Sequence, residues 1–134
     1  MPQAKRKCPT LKGFPPASHC ILIFMLDYEI TTRDLKQLLA LAGPDRPIIL
    51  DVREAWEHQV GRIQGSTLIP MGDIPSRAFN ELDPEARIIT VCHHGVRSMN
   101  VAVWLRNQGF ERTQSLRGGI DAWSAEIDPT LPRY

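Results

Sequence analysis

The stretch Val91-Cys-His-His-Gly-Val-Arg-Ser98 sets a thiol directly after an apolar run and a guanidinium five positions later, with a glycine between them. A strand, a tight loop and a helix N-terminus together make an anion cradle. The loop's amide hydrogens turn inward, and the helix dipole adds roughly half a positive charge at its start. A cysteine at the base of such a loop sits where its anionic, nucleophilic form is favoured. Arg97 closes the loop with a permanent charge, and His93 and His94 add partial charge according to their protonation. Gly95 lets the backbone turn inward where a Cβ would obstruct it. The amides of His93 through Val96 to Ser98 are the expected lining for the sulfur anion of Cys92. A lone cysteine ending a buried strand is ordinarily a small core hydrophobe. Gly95 and Arg97 at these spacings, ahead of a helix, shift the balance toward covalent chemistry.

The elements that must hold this loop can be read from the pattern. Thr31 or Thr32 caps a helix whose apolar residues Leu35, Leu38, Leu39 and Ala42 share one face, and Gly43-Pro44 ends it. Pro47–Asp51 reads as a buried parallel strand. Residues 54–59 read as a short helix, 66–69 as a strand stopped by Pro70, and 74–80 as a helical stretch. Arg87–Val91 is the clearest strand, and a helix follows from about Ser98 to Gln108, with Gly109 suited to its left-handed exit. Thr113–Leu116 is a last short strand. Its polar Thr113-Gln-Ser115 predicts a sheet edge or a wet face. Gly118-Gly119 then turns into a helix carrying Trp123. Alternating strands and helices imply a mainly parallel sheet covered on both faces, with ligands outside the carboxyl ends of the strands. Cys92 falls on that edge.

The totals set the outer limits. A chain of 134 residues, 43% hydrophobic and 23% charged, suits one soluble domain with a core of its own. A net charge of +1 argues against a broad basic face for nucleic acid. Three cysteines without paired spacing make no disulfide framework, so a reducing compartment, the cytoplasm, is expected. Lys5-Arg6-Lys7 and the apolar run 21–26 fall short of a secretory signal, which needs roughly 7–15 apolar residues, and of a membrane span, which needs about 20. The expected organisation is a poorly ordered extension over 1–26, with a short strand at its end, a domain over 27–126 and an extended tail over 127–134. Met25 is an alternative start.

Three segments in order, "ILDVREAWEHQVGRIQGSTLIP", "IITVCHHGVRSMNVAVWLRNQGF" and "LRGGIDAW", resemble a single-domain rhodanese of the thiosulfate sulfurtransferase-like kind, over residues 28 to about 124. The resemblance implies a three-layer α/β fold with a central parallel sheet of about five strands flanked by helices. It implies that Cys92 accepts a sulfane sulfur as a persulfide and passes it to a nucleophile, without an added cofactor. A thiosulfate-like small molecule is the expected donor, with a protein sulfur donor or acceptor as a further partner, and neither nucleic acid nor membrane. A sulfur-relay module serving one protein partner is the alternative. Four residues lie between Cys92 and Arg97. Similarly built phosphatases and arsenate reductases carry one more, which enlarges the cradle for a tetrahedral oxyanion, so the shorter ring favours sulfur transfer.

Asp51 and Arg53, in the "DVR" at a strand end, are expected to support the cysteine loop, with a helix cap and local ion pair as the plainer reading. Glu54 and Glu57 resemble the family's acidic positions and read as scaffold that braces Arg97 or nearby backbone. Arg62 and Ser66 depart from the family's "GHIxGA". No metal site is expected, because consecutive Cys92, His93 and His94 in a tight loop cannot all face one tetrahedral ion. Trp56, Trp104 and Trp123 read as packing aromatics.

Overall fold

The structure is a computed structural model that describes residues 27–134. The expectations for the extension 1–26 lie outside those residues. Five strands form one sheet: β1 (Glu29–Ile30), β2 (Ile48–Asp51), β3 (Thr67–Leu68), β4 (Ile88–Val91) and β5 (Thr113–Leu116), in the spatial order β1-β5-β4-β2-β3. Every pairing is parallel. Among the described residues five α-helices cover it: α1 (Thr32–Leu39), α2 (Ala55–Val60), α3 (Ile74–Glu81), α4 (Val96–Asn107) and α5 (Gly119–Glu126). The expected three-layer α/β architecture is what the chain adopts.

The pleat explains how two cores are made from one run of apolar residues. Successive strand side chains point to opposite faces. On β4, Ile88 enters a cluster with Leu50, Val101, Leu105 and Phe110 beneath α3 and α4. Ile89 and Val91 enter the other cluster, with Leu35, Ile120 and Trp123 beneath α1 and α5. Thr90 turns back to the α4 face, where its hydroxyl donates to the Ser98 carbonyl at 2.8 Å. The alternation carries past the strand end, so Cys92 joins the α4 cluster and is 1% exposed. The sheet therefore fixes the direction of the thiol.

Several local expectations are corrected. β5 lies between β1 and β4 with all four residues buried, so it is neither an edge nor wet. Its polar atoms are satisfied internally: the Gln114 amide donates to the Asp27 carbonyl at 2.9 Å, and Ser115 Oγ meets Ser98 Oγ at 2.7 Å. The edge strands are β1 and β3, and β1 is too short to stand out in the sequence. The Thr31 hydroxyl does cap α1, accepting from the Asp34 amide at 3.1 Å, but the helix ends at Leu39 and leaves Ala42 exposed. Trp123 is buried and Trp104 packs on Phe79, whereas Trp56 is 60% exposed.

α5 backs onto the cysteine loop so closely that no side chain fits between them. The Ile120 amide donates to the Cys92 carbonyl at 2.8 Å and the Asp121 amide to the His93 carbonyl at 3.1 Å. A Cβ on Gly119 would lie 2.4 Å from both carbonyl oxygens, and its φ is +62°. Both the clash and the left-handed backbone oppose any side chain here. Gly119→Ala is expected to cost roughly 3 kcal/mol, seen as a fall in the midpoint of thermal or urea unfolding.

Candidate functional site

Cys92 follows the last residue of β4, and α4 begins at Val96, two residues earlier than expected. The early start puts Arg97 and Ser98 inside the first helical turn. Gly95 is the residue before it, left-handed at φ +110°, with no side chain capping the helix. The Gly95 amide donates to Cys92 Sγ at 3.0 Å. On its other side the thiol contacts Ser98 Oγ at 3.4 Å. The sulfur thus sits at the open positive end of a 12-residue helix, touched by one amide and one hydroxyl, in a place nearly free of water.

Arg97 does not reach into the ring as a free charge. Its guanidinium is held by Glu57 in a forked pair, Nη1 to Oε1 at 2.7 Å and Nη2 to Oε2 at 3.0 Å. Glu57, on α2, is nearly buried and also accepts from the Glu54 amide at 3.0 Å. Donation from Arg97, opposed by burial and helped by the Glu54 amide and the Tyr134 hydroxyl, lowers the carboxyl pKa to about 2. The same bond, against burial, raises that of Arg97. Of the two expected acidic residues, Glu57 braces the arginine and Glu54 begins the helix.

Asp51 and Arg53 sit one strand away at the same sheet edge. Arg53 is fully buried. Its Nε and Nη2 donate to the Asp51 carboxylate at 2.9 and 2.7 Å, Nη2 also donates to the Gly61 carbonyl at 2.6 Å, and Nη1 donates to Tyr134 Oη at 2.9 Å. His58 Nδ1 adds a contact to Asp51 at 3.0 Å. The pair therefore does not touch Cys92; it anchors the turn after α2 and, through Tyr134, the flank of the loop. Ser66, one of the two departures, has a buried hydroxyl without a partner among the described residues, and Arg62 reaches only the His58 carbonyl at 3.4 Å.

His93 and His94 stack on each other with ring centres 3.9 Å apart and planes 24° apart. Burial, then the neighbouring His94, lowers the His93 pKa and favours the neutral ring. With Asp121 these rings offer ligand atoms within 4.8 Å of one another. Nearly parallel stacked imidazoles direct their in-plane lone pairs side by side rather than to one point. Asp121 is moreover forked onto Arg133 at 3.0 Å through both oxygens. The cluster is poorly shaped for an ion.

Sequence reasoning missed Tyr134. Its hydroxyl donates to Glu57 Oε2 at 2.7 Å and its ring stacks on His93, with centres 4.0 Å apart and planes 10° apart. A tyrosine 77 residues from its partner carries no local signal.

Glu57 gives the site a measurable acid dependence. Its folded pKa lies below its unfolded value, so its contribution is complete above about pH 4.5 and is lost as the pH falls toward about 2. Allowing for solvent on the Arg97 side of the pair, that contribution is on the order of 2 kcal/mol. Glu57→Gln should lose it at pH 7 and converge on the parent as the pH is lowered toward 2, followed by urea unfolding at each pH.

Known proteins resemble this chain along nearly all of the described part. The profile of the rhodanese-like domain matches residues 31–126. The thiosulfate sulfurtransferase GlpE of Pseudoalteromonas translucida is 33% identical over 99 residues, covering 74% of this chain and 93% of that protein. A sulfurtransferase of Allochromatium vinosum is 33% identical over 96 residues, covering 72% and 87%. The chloroplastic rhodanese-like/PpiC domain-containing protein 12 of Arabidopsis thaliana is 36% identical over 93 residues, but the chain spans only 31% of its length. The crystal structure of a rhodanese-like domain protein from Staphylococcus aureus superposes with a TM-score of 0.68 at 33% identity, covering 81% of this chain and 99% of that one. These likenesses support rhodanese-type sulfur transfer as the general chemistry. The chain belongs to the rhodanese-like domain family.

Proposed function

We propose that the protein is a sulfurtransferase that carries a sulfane sulfur on Cys92 from thiosulfate, or another persulfide donor, to a thiol or cyanide. The observation that carries this reading is the Gly95 amide aimed at a buried Cys92 sulfur, 3.0 Å away at the start of α4. A sulfur anion in so dry a place needs donors and a helix dipole, and it has both.

In the first half-reaction the Cys92 thiolate attacks the outer sulfur of the donor. A new S–S bond forms, the donor's own S–S bond breaks, and its electron pair leaves with sulfite when the donor is thiosulfate. The loop from His93 to Ser98, with His94, Gly95 and Val96 between, surrounds the persulfide with main-chain donors. Arg97, braced by Glu57, keeps the loop's shape, and Asp51 and Arg53 support the neighbouring turn. In the second half-reaction the acceptor attacks the outer sulfur and the Cys92–sulfur bond breaks, which restores the thiolate. This is covalent nucleophilic catalysis by the chain's own residues.

The relay alternative has a specific observation in its favour. Cys92 is 1% exposed and Arg97 is already forked onto a carboxylate, so no free guanidinium among the loop residues awaits a small anion. On this alternative the donor is a persulfidated protein that opens the loop as it docks. A free thiol at Cys92 and the demand for thiol acceptors fit a reducing compartment such as the cytoplasm. Among the described residues no helix is long and apolar enough to cross a membrane.

Cys92→Ser should abolish transfer, with turnover down by at least ~10³-fold. Mass spectrometry of the parent after donor treatment should find one added sulfur on the peptide containing Cys92. Thiocyanate formation from thiosulfate and cyanide, set beside transfer from a persulfidated desulfurase, separates the two donors. Undiminished turnover in the serine variant overturns both readings.

A further inference from the structure

The chain after α5 doubles back toward the site. The Leu131 carbonyl accepts from Ser124 Oγ at 2.6 Å, and Leu131 packs against the core beneath α5. Pro132 lies over Gly61 so closely that a Cβ there would meet its Cδ at 2.8 Å. Arg133 forks onto Asp121. Tyr134 arrives at the loop, and Trp56 meets its ring edge-on with centres 5.9 Å apart.

The phenol stands between two ion pairs. It accepts from Arg53, the partner of Asp51, and donates to Glu57, the partner of Arg97. Its ring lies on His93, the residue joined to Cys92. The other boundaries of the loop differ in kind. β4 and α4 hold it through the chain itself, and α5 holds it by main-chain hydrogen bonds against Gly119. The Tyr134 side chain touches it by its stack on His93 alone, its two hydrogen bonds going to Arg53 and Glu57, and the residue is 39% exposed. Reagents reach a cysteine this buried only when something at its rim moves, and the Tyr134–His93 stack is the boundary cheapest to part.

We propose that Tyr134 is a positioning residue for the cysteine loop, and that its ring on His93 sets the size of the molecule that reaches Cys92. For acceptors this rests on the sulfur-transfer reading; for access to the thiol it does not. Small nucleophiles such as cyanide need only a slight parting of the rim, whereas bulky thiols enter when the stack opens.

The test compares the full chain with Tyr134→Phe, Tyr134→Ala and Arg133→Ala. Cys92 is alkylated with iodoacetamide or a fluorescein maleimide, and peptide mass spectrometry reads that site apart from Cys8 and Cys20. Tyr134→Ala should favour the bulky reagent over the small one by about fivefold relative to the parent, the change expected from losing a ring stack worth about 1 kcal/mol. Tyr134→Phe keeps the ring and should restore the parental ratio. Arg133→Ala loosens the same segment without touching the stack and should move the ratio the same way by less. Steady-state transfer to glutathione against cyanide should follow the same order. Equal acceleration of both reagents in Tyr134→Ala, or failure of phenylalanine to restore the ratio, overturns the proposal. If the parent carries no added sulfur, the sulfur-transfer reading falls while alkylation still decides the role of Tyr134. If the parent loads sulfur and the ratio is unmoved, the Tyr134 proposal falls alone.

Discussion

A guanidinium with no exposed surface is the constraint around which this end of the molecule is arranged. Arg53 cannot shed its charge, and burying a charge costs several kcal/mol unless partners surround it. The partners come from three places in the chain: Asp51 on β2, the Gly61 carbonyl after α2, and Tyr134 in the tail. Satisfying one buried cation therefore pins a strand end, a turn and a distant segment together. Among these partners, Tyr134 passes the constraint on to Glu57 and so to Arg97. The loop that holds Cys92 is shaped from this side by electrostatics and from the other by the close approach of α5.

The division of labour follows from the sheet. Parallel strands end at one edge, and the residues just past β2 and β4 are neighbours there because Asp51 and Val91 are register partners. That register places the "DVR" segment beside the cysteine loop without any direct contact with the sulfur. The site is accordingly two linked networks. The inner one contains the sulfur, the Gly95 amide and Ser98. The outer one contains charged groups that the inner one never touches.

Local features were legible and long-range ones were not. The strand before Cys92, the glycine and the arginine occupy a dozen consecutive residues, and their roles depend on backbone geometry that neighbours dictate. The start of α4 was misjudged by two residues because Gly95, in a left-handed conformation, serves as the helix boundary without a polar side chain to mark it. β5 read as an edge because polar residues usually face water. Here Gln114 and Ser115 find partners on the tail of β1's approach and on α4, which pattern alone does not reveal. Glu57 was suspected as a brace from the family pattern, but its third partner, Tyr134, is separated by 77 positions and had no periodicity to betray it.

The two serines behind the sulfur carry a last implication. Ser98 Oγ lies between Cys92 Sγ and Ser115 Oγ, and a hydroxyl can give or take a hydrogen by a simple torsional swing. In the proposed cycle the sulfur alternates between anion and covalent adduct. Reorienting these O–H dipoles lets a buried pocket answer each change of charge with no heavy atom displaced.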